Sequence, residues 1–273
     1  MKYLILFVIS ISLVACGSNP VITDKDFTQL NSLDDLKHLE YDISQVKPYK
    51  PEKVSEINLN LGIEYMRRGK MEIALNRLRK AIEKDENYAD AHSTIAILFE
   101  RVGQIEDARN HYETAVKLQV YNATIQNNYG QFLCKYGTWE NANRSFLISL
   151  ANPVYARPEV PATNAAICAM RHNHNEEAEA YLRHALTLNP RFSRAIYQMA
   201  LLNSDTGRYN VAQDYFKRYI EDRPHNAQTL WLGVRIAHAL HDTETKARYA
   251  RILRSEFPDA IEVQWLNKKR YHK

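Results

Sequence analysis

Small residues recur in this chain at an interval of 34. Gly69, Gly103 and Gly137 are so spaced, and so are Ala74, Ala108 and Ala142. Farther on, Pro190, Pro224 and Pro258 keep the same interval. A fixed period of this length constrains the fold more tightly than composition does. Each period is one supersecondary unit that cannot bury its apolar face alone, so the units must stack. Six units fit, at 55–88, 89–122, 123–156, 159–192, 193–226 and 227–260. Small residues at the eighth and twentieth positions (Gly62 and Ala74, Ala96 and Ala108, Gly130 and Ala142) allow two helices to approach closely. Large ones at the seventh, eleventh and twenty-fourth (Leu61, Tyr65 and Leu78 in the first unit) fill the space between them. Gly near position 15 supplies a left-handed helix end, and Pro near position 32 stops the second helix.

An array of helical hairpins with this register is of tetratricopeptide type. The fold class is therefore all-α, a tetratricopeptide-repeat solenoid of six helical hairpins. Later units keep Ala178, Leu182 and Ala185, then Ala212 and Phe216; the sixth is looser, with Ala247 one place late. Units three and four are separated by "NPVYARPEVP", with three prolines and two extra residues, which predicts a bend or altered stacking. Residues 16–54 lack the repeat and carry Pro20, Pro48 and Pro51. Within them "FTQLNSLDDLKHL" has the pattern of a short helix. As a flexible tether, residues 17–54 would reach roughly 34 Å. Residues 261–273 form a basic extension ending in "KKRYHK", read as solvated.

The amino terminus, "MKYLILFVISISLVAC", has one Lys, an apolar run too short to span a membrane, and Cys16. This is a secretory signal over residues 1–15. "LVAC", Leu13 to Cys16, resembles the lipobox of bacterial lipoproteins, in which the cysteine is acylated and becomes the first residue. Gly17 follows, where an Asp would resemble an inner-membrane retention signal. The resemblance implies an outer-membrane protein facing the periplasm, anchored through acyl chains on Cys16; three chains exceed the two signals that stable anchoring needs.

Two cysteines remain, Cys134 and Cys168, in the first helices of adjacent units. In an oxidising compartment such a pair is either a disulfide or two buried thiols, and the extra residues between units three and four shift its helical phase. "RHNHNEE" places His172 and His174 in a turn, with His184 ten residues on, and no carboxylate or thiol is read at metal-ligand spacing, so the two are expected to be solvated turn histidines. The glycines follow the repeat and do not cluster into a phosphate loop, and no serine sits in a nucleophile elbow. The formal net charge of +4 is small and dispersed. These observations predict a protein-binding chain that is not an enzyme, with no metal, cofactor, nucleic acid or small-molecule substrate.

Stacked hairpins present a concave face from positions 2, 5, 9, 12 and 13 of each unit. The residues expected there are Leu59, Ile63, Met66 and Arg67, then Ile97 and Arg101, then Asn127 and Gln131. Leu59 and Ile63 stand where some tetratricopeptide proteins carry a Lys/Asn clamp for acidic peptide tails, so the strip Leu59, Ile63, Met66 and Ile97 predicts an apolar partner segment. The competing expectation is that Phe27 to Leu39 folds back over it.

"NATIQNNYGQFLCKYGTWENANRSF", 122–146, and "AQTLWLGVRIAHALHDTETKARYARILRSEFP", 227–258, resemble the PilF/PilW family of type IV pilus biogenesis lipoproteins. Leu230 to Arg235 matches that family's "LLLGIR" stretch. The resemblance implies a pilotin, an outer-membrane lipoprotein that binds the type IV pilus secretin subunit and promotes its localisation and multimer assembly. A periplasmic scaffold for cell-wall hydrolases, or for outer-membrane protein assembly, would share the same anchor and repeats.

Overall fold

The computed structural model describes residues 31–38, 49–221 and 224–271. The signal segment, Cys16 and most of the tether lie outside the described residues. Among those described there are thirteen α-helices and no strand. Twelve helices form six hairpins: α1 (Lys53–Arg67) with α2 (Met71–Lys84), α3 (Ala89–Arg101) with α4 (Ile105–Leu118), and α5 (Ala123–Tyr136) with α6 (Trp139–Ala151). The second half continues with α7 (Glu159–Arg171) and α8 (Asn175–Leu188), α9 (Ser193–Asp205) and α10 (Tyr209–Ile220), and α11 (Ala227–Ala239) and α12 (Thr243–Glu256). Helix α13 (Ile261–Asn267) closes the array. None of these helices is long and apolar enough to cross a membrane.

The small-into-large packing within hairpins is direct. A Cβ added at Gly62 would lie 2.6 Å from Leu78, and one at Gly130 would lie 2.8 Å from the ring of Phe146. Ala74, Ala108, Ala142, Ala178 and Ala212 are all fully buried on the facing helix. One continuous apolar core runs from Leu59 to Leu202, and a second gathers residues from Ala200 to Leu266. The core therefore passes unbroken through the proline-rich interruption and divides within the fifth hairpin instead. The sixth hairpin uses a shifted contact: a Cβ added at Gly233 would lie 2.8 Å from the ring of Tyr249 and 2.9 Å from that of Phe216, whereas Ala247, read as the late counterpart of the packing alanine, is exposed.

Five of the six hairpin turns contain one residue of positive φ. They are Gly69, Gly103 and Gly207, and, where glycine is missing, Asn173 (φ 64°) and His241 (φ 58°). The third turn differs from the expectation. Helix α5 runs one residue further, so Gly137 is its C-cap with φ −128°, and Thr138 caps α6 by accepting from the Asn141 N–H at 3.4 Å. Elsewhere Asn226 and Thr229 form a reciprocal capping box at the start of α11, both bonds being 2.9 Å. Pro190 and Pro258 each follow a helix end by two residues, as a residue unable to continue the helix should.

Cys134 of α5 and Cys168 of α7 are disulfide-bonded, with Cα atoms 5.6 Å apart. The bridge joins hairpins three and four across the interruption, closing a loop that the chain-entropy account values at about 3 to 4 kcal/mol. Residues 31–38 sit on α6, with the Asn143 side-chain N–H donating to Asn31 O at 2.9 Å and Leu33 and Leu36 packed on the core. Only Asp35–His38 is helical there, a single 3-10 turn. This part of the tether lies on the second-helix side of the array, so it does not cover the strip on the first helices. The extension after residue 260 is not merely solvated: Val263 and Leu266 of α13 are buried against the last hairpin and seal the end of the second core.

Replacing Gly130 with Ala should destabilise the chain by about 1 to 3 kcal/mol in urea unfolding, because Phe146 is fully buried and has nowhere to move. A second expectation concerns pH. The imidazoles of His92 and His111 meet at 3.0 Å between their Nδ1 atoms, and burial, together with the neighbouring His92, depresses His111 from 6.5 to about 4. The unfolded chain binds a proton here that the folded chain refuses between those values. The stability contributed by neutral His111 is thus complete above about pH 6.5 and is lost as pH falls toward 4. Urea unfolding at pH 7 and pH 5 should show His111→Phe losing about 1 to 2 kcal/mol less than wild type over that interval.

Candidate functional site

The first helices α1, α3, α5, α7, α9 and α11 touch in succession and form one face of the array. The residues expected to line it divide into two sets. Arg67 and Arg101 are exposed, and Ile63, Ile97 and Gln131 are half-buried. Leu59 and Met66, each 6% exposed, belong to the core, and Asn127 is buried as well. The open apolar strip is therefore reduced to Ile63 and Ile97. The reason is geometric: positions 5 and 12, two turns apart on one side of the helix, fall in the seam between consecutive first helices. Asn127 demonstrates it by accepting from the Asn164 side-chain N–H of α7 at 2.8 Å.

Polar stitches cross these seams at several levels. The Lys135 ammonium of α5 pairs with Glu100 of α3, and the Tyr112 hydroxyl donates to the other oxygen of the same carboxylate at 3.4 Å. Between α9 and α11, Arg235 donates to Asp205 at 2.7 Å and to Tyr271 O at 3.3 Å. Arg235 is only 8% exposed, so its charge is held by partners rather than by water. Neither Asp205 nor Tyr271 is near it in sequence.

The turn after α7 also differs from its sequence reading. His172 places Nε2 at 3.1 Å from Cys134 O, and a ring nitrogen of His172 lies with both sulfurs inside a 4.8 Å cluster. His174 is half-buried and stacks on Trp139 with ring centroids 5.2 Å apart. The Cys168 to His172 spacing, one helical turn, was the available signal; the second thiol comes from another hairpin.

Two further surfaces had no part in the expected groove. A hollow of about 780 Å³ opens between α9, α11 and α13, lined by Tyr197, Leu201, Trp231, Trp265, Glu262 and Arg270 among others. The Trp231 and Trp265 ring centroids are 5.9 Å apart. At the opposite end, Val54, Ile57 and Leu61 of α1 are 50%, 50% and 37% exposed, an i, i+3, i+7 stripe on the flank where an earlier repeat would stack. Leu61, at the seventh position, reads as filling the first hairpin but lies on this open flank instead, because no earlier hairpin stacks on α1 among the described residues.

Models of the TPR repeat and of the tetratricopeptide repeat match residues 62–103 and residues 163–192 and 193–226. The chain is 30% identical to the type IV pilus assembly protein PilF of Pseudomonas aeruginosa over 206 residues, 76% of this chain and 82% of that protein. Its fold superposes on the solved structure of Pseudomonas aeruginosa PilF with a TM-score of 0.71 at 28% identity, covering 80% of this chain and 98% of that one. The crystal structure of PilW, described as a widely conserved type IV pilus biogenesis factor, gives 0.75 at 29% identity, covering 79% and 99%. The six hairpins, their register and this near end-to-end correspondence place the chain in the PilF/PilW family of type IV pilus biogenesis factors.

Proposed function

We propose that this protein acts in type IV pilus biogenesis as a pilotin. It is held on the periplasmic side of the outer membrane by acyl chains on Cys16, and it binds the secretin subunit of the pilus machine and promotes assembly of the multimer. The observation that carries the reading is the correspondence with PilF and PilW, which covers about four fifths of this chain and 98% and 99% of their solved chains. The lipobox stretch "LVAC" supports the anchor. Secretin contact is assigned to the open face of the first three hairpins, where Arg67 and Arg101 are exposed beside the half-buried Ile63, Ile97 and Gln131. Leu59 and Met66 support that surface from beneath.

The test is an immunoblot of outer-membrane fractions for heat-resistant secretin multimers. Deletion should abolish the multimers, and Arg67→Glu/Arg101→Glu should reduce them at least about tenfold while circular dichroism stays that of wild type. Cys16→Ser should move the protein out of the outer-membrane fraction. Loss of multimers with Val54→Asp/Ile57→Asp/Leu61→Asp, but not with the arginine variant, would transfer the contact to the open end of the array. Normal multimers in the deletion would overturn the secretin role.

A further inference from the structure

We propose that Cys134, Cys168 and His172 form a metal-binding site when the two cysteines are reduced, taking a thiophilic divalent cation of the zinc type. Cys168 and His172 are one turn apart at the end of α7, and Cys134 faces them from α5. The two sulfurs and a ring nitrogen of His172 all lie within 4.8 Å of one another. Two thiolates and an imidazole, with water in the fourth place, are a ligand set that zinc accepts at about 2.3 Å to sulfur and about 2.0 Å to nitrogen.

The surroundings favour a metal over two loose thiols. Cys168 is fully buried and Cys134 is 7% exposed, so the thiolates would be held in a largely dry seam where an unpaired charge is costly. His172 is half-buried, which leaves solvent access on its side for the cation to enter. Its ring already bonds Cys134 O at 3.1 Å through Nε2. That bond holds the imidazole against α5, beside the two sulfurs.

The chemistry closes in both directions. A dithiol reductant gives two electrons and two protons to the Cys134–Cys168 bond, forming two thiols and its own disulfide. The cation then displaces both thiol protons to solvent and forms two metal–sulfur bonds and one metal–nitrogen bond. A disulfide oxidant reverses this by thiol–disulfide exchange, taking two electrons as the cation leaves. The same seam between hairpins three and four is therefore clamped in either state, by metal before oxidation and by the disulfide after it. This inference stands apart from the secretin reading.

The experiment uses the full-length chain carrying Cys16→Ser, so that no third thiol contributes, with cobalt as the probe. The reduced protein, freed of reductant under argon, should develop a thiolate-to-cobalt charge-transfer band that saturates at one cobalt per chain and is displaced by zinc. The oxidised protein should show no such band, and Cys134→Ala/Cys168→Ala should lose it while keeping its helical circular dichroism. His172→Ala should weaken cobalt binding at least about tenfold. Should the reduced chain lose helix, zinc should restore it in the parent and not in His172→Ala. A reduced protein without the band, equal cobalt affinity in His172→Ala, or lost helix that zinc does not restore would each overturn the proposal.

Discussion

Everything in this molecule follows from how closely two antiparallel helices approach inside each hairpin. Gly130 has no side chain because Phe146 occupies the space a methyl group would need, and Gly62 stands in the same relation to Leu78. The alanines of the facing helix are wholly buried for the same reason. Close approach leaves each hairpin with an apolar flank, and the next hairpin covers it. A line of first helices on one side and second helices on the other is the geometric result. The face of first helices is thus a by-product of core packing, set by contacts on the inside of each hairpin.

Stacking alone does not set the joints, and this chain reinforces them. Glu100 with Lys135, Asn127 with Asn164, and Asp205 with Arg235 each link consecutive first helices. These pairs differ in worth. The partly exposed Glu100–Lys135 pair contributes little, whereas Arg235 is buried and removal of Asp205 would strand its charge. The strongest joint falls where the repeat length changes. Two added residues disturb the register between hairpins three and four, and there the Cys134–Cys168 bond holds α5 to α7. The core runs through that point without a break. Braced in this way, the irregularity leaves the line of first helices continuous.

The ends of the array behave differently. At the carboxyl end α13 covers the last hairpin and helps to form an aromatic hollow around Trp231 and Trp265. At the amino end Val54, Ile57 and Leu61 lie exposed on α1 among the described residues. A solenoid needs polar or covered terminal faces, so this flank is where the tether, a partner or a membrane-side neighbour has apolar surface to meet.

The sequence by itself determined the number of hairpins, their approximate bounds, and most of the small and large residues that pack within them, Leu61 and Ala247 being exceptions. Those contacts join positions a few turns apart, so a fixed period of small and large residues encodes them locally. It also marked helix ends, where Gly69 and Gly103 take a positive φ and Pro190 and Pro258 follow the second helix by two residues. Tertiary structure decided what lies between hairpins. Leu59 and Met66 read as groove and are core, Ala247 reads as core and is exposed, and the residues after 260 read as a tail and begin with a sealing helix. The partners of Arg235, and the pair of sulfurs beside His172, come from neighbouring hairpins. Which face of a helix is open depends on the angle at which the next helix crosses it. That angle is set by the summed shapes of both helices, and no periodicity within either one records it.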